Sequence, residues 1–122
     1  MKSPALQTKP VQQIVIESTA LYFGMSVDEL LCGKSRTYNE VYKKHICFYL
    51  MRHNCPMLSR EFIAKMFKCS GSTVQYGEDK IASEKEIYSQ TLGNIRDIQD
   101  LIDNFKQKLR ESWLTHNSSS IS

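Results

Sequence analysis

The chain has 122 residues, 41% of them hydrophobic, with 16 basic and 13 acidic side chains and a net charge of +3. That is one domain with a modest core, too short to carry an ATPase module as well. The absence of an 18-residue apolar run and of a G-x-x-x-x-G-K-[ST] loop argues against a membrane span and against nucleotide-driven assembly.

The first thirteen residues, MKSPALQTKPVQQ, are polar, contain two prolines and lack the apolar stretch of a signal peptide, so a cytoplasmic protein with a flexible arm over 1–10 is expected. A helix then follows. Val11, Ile14, Val15, Ser18 and Tyr22 share one of its faces, and Gly24 stands where a helix stops. Ser26 can cap a short turn from Val27 to Leu31. A longer helix is predicted from about Thr37 to Asn54, with Tyr42, Ile46, Tyr49, Leu50 and His53 on one face and Pro56 as its stop.

The segment Ser59 to Ile81 has the layout of a helix-turn-helix. Ser59 is placed to cap a helix over Arg60 to Phe67, in which Phe62, Ile63, Met66 and Phe67 form a buried stripe. Lys68, Cys69, Ser70 and Gly71 break the period. Ser70 or Ser72 can cap a second helix whose inner face carries Val74, Gly77 or Glu78 at the rim, and Ile81. The small residues Ala64 and Gly77 suit a close crossing of these two helices. A last helix is marked by Ile95, Ile98, Ile102, Phe105 and Leu109, a two-heptad seam that Trp113 and Leu114 extend. The folded region is therefore 11–114, and THNSSSIS, which lacks periodicity, reads as a disordered tail over 115–122.

Charge is lopsided along the chain. Residues 34–69 hold Lys34, Arg36, Lys43, Lys44, Arg52, Arg60, Lys65 and Lys68 against Glu40 and Glu61, a net +6. Residues 70–105 hold three basic side chains against seven acidic ones, a net −4. A basic region around a helical turn can neutralise phosphates and release counterions, the sequence-independent part of DNA affinity. Cys32, Cys47, Cys55 and Cys69 make no C-x-x-C, and their spacing with His45 and His53 is not that of a zinc site. Four free thiols are expected, with Cys47 in the core and no metal or cofactor. No nucleophile is placed beside a base, which argues against an enzyme.

From Ile14 to about Leu109 the chain resembles the C-terminal, origin-binding domain of the bacterial replication initiator DnaA, an all-α domain of the Trp-repressor-like group. ALYFGMSVDELL, Ala20 to Leu31, resembles that family's YF, break and V-x-DLL turn. GKSR, Gly33 to Arg36, resembles a loop whose arginine reaches into the minor groove. ICFYLMR, Ile46 to Arg52, is similar to IAMYLLR, with Lys44 where a backbone-contacting arginine usually stands. SREFIAKMF and STVQYGEDKI resemble SLPEIGRLF and TTVLHAIEKI. The signature GGRDHTTV differs most. It appears as KCSGSTV, one residue shorter, with Ser70 and Gly71 where the aspartate and histidine would be.

What the resemblance implies is a small helical bundle with a helix-turn-helix and a long C-terminal helix, binding double-stranded DNA without ATPase activity in replication, transcription or mobile-element control. Ser70, Ser72, Thr73, Gln75 and Tyr76 would face the major groove and Arg36 the minor groove. Lys34, Lys43, Lys44, Arg60, Lys65 and Lys68 would meet phosphates. Ser72 and Thr73 keep part of the thymine-methyl chemistry, the missing histidine's share is lost, and Gln75 and Tyr76 are the replacements. Tyr76 has a second reading as a packing residue. The competing function is a protein-interaction module that keeps the fold and has lost the DNA site. The last helix is the surface through which a homodimer or protein partner would form.

Overall fold

The computed structural model describes residues 10–32 and 37–121. Among these, six helices and no strand are found: α1 (Val11–Phe23), α2 (Val27–Leu31), α3 (Tyr38–Asn54), α4 (Arg60–Phe67), α5 (Gly71–Ile87) and α6 (Ser89–Ile121). No helix among the described residues is long and apolar enough to cross a membrane.

Local chemistry sets most of the helix ends. Gly24 ends α1 in the left-handed region (φ 66°), where its N–H donates to the Leu21 carbonyl and the Met25 N–H to the Ala20 carbonyl. Ser26 and Glu29 form a capping box at α2, with N–H to oxygen distances of 3.0 and 2.8 Å, and Thr37 and Glu40 do the same at α3. After α3 the chain turns at Cys55 and Pro56, where Arg52 Nη1 donates to the carbonyls of Pro56 and Leu58. The Ser59 hydroxyl caps α4 by accepting from the Phe62 N–H at 3.0 Å.

The core lies around α3, which packs on α1 and α5, while α6 crosses α1 and α5. Ile46, Cys47, Phe48, Leu50 and Met51 of α3 are buried with Val15, Ile63, Phe67, Val74, Ile81, Ile98 and Ile102. Phe48 meets Phe67 edge to face at 4.8 Å between ring centres. Cys47 is wholly buried, and that burial pushes its thiol up to about 12. The Asn54 and Gln99 amides exchange two 2.9 Å hydrogen bonds, tying α3 to α6.

Several expectations change. α1 buries Ile16, Thr19 and Ala20 besides its predicted stripe, because it is held between α3 and α6. On α3, Ile46 and Leu50 are buried as expected, whereas Tyr42 and Tyr49 lie at the rim and His53 is exposed. Phe62 is 44% exposed, since an eight-residue helix turns only Ile63, Ala64 and Phe67 fully inward. Gly77 does not serve a crossing with Ala64. It faces α3, where an added Cβ would stand 2.6 Å from His45 Cδ2 and 2.8 Å from Phe48 Cδ2. α5 continues to Ile87, beyond the expected Ile81. α6 runs through residues 115–121, where a tail was expected, because the absence of apolar periodicity denies a segment a packing face and not a helical backbone. The predicted arm over residues 1–9 lies outside the described residues. On α6, Ile98 and Ile102 are fully buried, Ile95 and Leu109 half-buried, and Phe105 37% exposed.

Candidate nucleic-acid interface

The turn between α4 and α5 is built on an unusual residue. Lys68 holds the left-handed conformation (φ 56°, ψ 47°), the one positive φ outside glycine among the described residues. Its N–H and that of Cys69 donate back to the Lys65 and Ala64 carbonyls, which satisfies the end of α4 as a glycine would. The chain is then free to restart at Ser70, whose hydroxyl accepts from the Thr73 N–H at 3.2 Å. Of the two capping candidates, Ser70 is the one used.

This capping clusters hydroxyls at the mouth of α5. Ser70 Oγ lies 3.1 Å from Ser72 Oγ and 2.9 Å from Thr73 Oγ1. Ser70, Ser72, Thr73, Gln75 and Tyr76 are all exposed, while Val74 and Gly77 between and beyond them turn inward. The helical period thus sorts the segment into an outward set of polar side chains and an inward apolar anchor. Tyr76 is 61% exposed, and its ring also meets the buried His45 ring edge-on at 5.8 Å, so it packs on α3 while most of its surface stays open. Burial lowers the His45 pKa, Lys80 lowers it further, and Glu84 opposes them.

The basic side chains divide. Lys65 and Lys68 are exposed on either side of the end of α4. Lys44 lines a small pocket of about 140 Å³ with Cys69 and Thr73 over Phe48 and Phe67, which brings α3 to the mouth of α5. Lys43 points elsewhere, its ammonium 5.5 Å from the centre of the Phe23 ring. Arg60 is engaged by Glu78, with Nε donating to Oε2 at 2.9 Å and Nη2 to Oε1 at 3.3 Å. Arg52 lies 3.5 Å from the same carboxylate. Lys34 and Arg36 lie outside the described residues.

Two features escaped the sequence reading. Glu78, taken as a rim residue, is the ionic clamp that locks α5 to α3 and α4. Glu61 Oε2 lies 3.0 Å from where a Cβ on Gly71 would stand, which sets a carboxylate beside the first turn of α5. An acid there favours the helix dipole and opposes an approaching phosphate. Neither shows in local sequence spacing, since each depends on which helices meet.

The family model described as the bacterial DnaA protein helix-turn-helix matches residues 12–81, more than half of the chain. The match begins in α1 and reaches the buried Ile81 of α5, so it contains the turn, its caps and the exposed hydroxyl cluster. The α4–turn–α5 unit lies within the matched residues, and this chain belongs to the bacterial DnaA helix-turn-helix family.

Proposed function

We propose that the chain binds double-stranded DNA in a sequence-dependent way, with the first turns of α5 in the major groove. One observation carries this reading: Ser70, Ser72, Thr73, Gln75 and Tyr76 all stand exposed at one end of α5, with Lys44, Lys65 and Lys68 on the segments around it. Gln75 offers an amide suited to adenine, and Ser72 and Thr73 offer hydroxyls and a methyl suited to thymine. Lys34, Lys44, Lys65 and Lys68 supply phosphate contacts, which Arg60 would join only by giving up Glu78 and Lys43 only by leaving the Phe23 ring, and Arg36 enters the minor groove. The setting is the cytoplasm, in replication, transcription or mobile-element control, without ATPase activity and without metal or cofactor. A second copy or a protein partner would engage α6.

The test is anisotropy binding to a randomised duplex pool at two salt concentrations. Arg36→Ala should weaken binding to every sequence, whereas Thr73→Ala and Gln75→Ala should change the retained sequences, each good base contact being worth about 1–3 kcal/mol. Equal losses on all sequences from the Gln75 change would remove it as a reader. No duplex binding at low salt would put the protein-interaction reading first, which the missing Arg-Asp-His already favours.

A further inference from the structure

Along the C-terminal half of α5, beyond its reading end, lies an open groove of about 830 Å³ between α3, the α5–α6 junction and the end of α1. Its walls include Tyr38, Tyr42 and Tyr88, and its charged groups are Lys43, Lys80 and Glu84. Tyr38 and Tyr42 stack at 6.4 Å with 24° between their planes. Tyr38 is 68% exposed and Tyr88 56%, so neither ring is needed to seal the core. The floor is already satisfied: the Tyr42 hydroxyl lies 2.9 Å from Thr91 Oγ1 and accepts from Asn94 Nδ2 at 2.9 Å. What Tyr42 offers outward is therefore a ring and not a hydroxyl.

We propose that this groove takes an unpaired DNA strand, its bases stacked on Tyr38 and Tyr88 and its phosphates near Lys43 and Lys80. Aromatic rings beside cations are the chemistry by which proteins follow single strands, because every base has a π-face. Two lysines outnumber Glu84, which lies 3.2 Å from Lys80 and leaves the groove net positive. Position supplies the second argument. Lys80 follows Tyr76 by one helical turn and stands within electrostatic reach of both Tyr76 and Tyr38, so the groove continues the surface assigned to duplex DNA. The proposal rests on that assignment for its occupant, a strand leaving the duplex at the Tyr76 end.

The experiment is anisotropy of the whole chain with a labelled oligothymidylate and, separately, with duplex DNA, for the parent, Tyr38→Ala, Tyr88→Ala and Tyr38→Phe. Strand affinity should fall about tenfold for each ring removed, stay near the parent's in Tyr38→Phe, and leave duplex affinity unchanged. Circular dichroism melts check that the variants fold. A parent that binds duplex but not the strand would overturn the proposal and leave the duplex reading intact, as would equal losses on both DNAs. Displacement of the strand by free thymidine monophosphate at comparable concentration would overturn it too, showing a nucleotide site instead of a strand track. Strand binding without duplex binding would keep the groove as a strand site and remove the duplex reading, and with it a bound duplex as the strand's source.

Discussion

Gly77 shows how a single position couples the core to the exposed first turns of α5. A methyl at Gly77 would collide with both His45 and Phe48, so α5 can lie this close to α3 only without a Cβ. Gly77→Ala should cost about 1–3 kcal/mol in overpacking, against about 1 kcal/mol recovered in helix propensity. Urea unfolding should therefore show a net loss of up to about 2 kcal/mol; a gain would mean that the two rings can move aside. His45 adds a pH dependence whose sign follows from its lowered pKa. The folded state favours the neutral ring, so below about pH 6.5 the unfolded chain binds the proton more readily. This contribution is fully present above that value and is lost as the pH falls through it towards the lower folded pKa. Melts of the parent and His45→Asn from neutral to mildly acidic pH would isolate it, and identical pH dependence in the two would assign the loss to other groups.

At the level of the elements, the helix-turn-helix depends on a lysine in a conformation that suits glycine. Holding Lys68 in the left-handed region costs about 1–2 kcal/mol. Retaining a cation at the turn, where the α5 hydroxyls converge, is consistent with a phosphate contact. Lys68→Gly separates the two roles. Stability should rise by about 1 kcal/mol in chemical denaturation, while the salt slope of DNA binding should become shallower by about 1. Loss of stability would mean that the lysine makes contacts that outweigh the strain. The elements were readable where their ends are chemical: Ser26, Ser59 and Ser70 cap as their sequence positions suggest, Gly24 stops α1, and Thr37, expected as the first residue of α3, is its cap. The C-terminal end of α5 and the start of α6 were not. Tyr88 and Ser89 carry no breaker, yet Tyr88 is extended (φ −109°, ψ 116°) and separates the two helices.

Across the whole molecule, the +6 window is not all available to DNA. Glu78, from the acidic half, holds Arg60 and lies beside Arg52 with only 12% of its side chain exposed. The remaining proposed phosphate set of Lys34, Lys44, Lys65 and Lys68 should give a log–log salt slope for duplex DNA of about −3 to −4. Arg60→Ala should then leave the slope unchanged while lowering the melting temperature. A slope shallower by about 1 would instead show that phosphate draws Arg60 away from Glu78.

The sequence by itself determined where α1 to α4 lie, the caps at Ser26 and Ser59, and the polar and apolar halves of α5, because those depend on side-chain type at spacings of three and four residues. Family membership was legible for the same reason, since the matching segments keep their order and spacing. Tertiary structure alone decided that Arg60 and Arg52 meet Glu78, that Gly77 answers to α3 and not α4, and that Tyr88 joins the distant Tyr38 and Tyr42 in lining one groove. Each is a meeting between elements, and the distances that govern charge pairing, steric exclusion and stacking arise only when the helices pack.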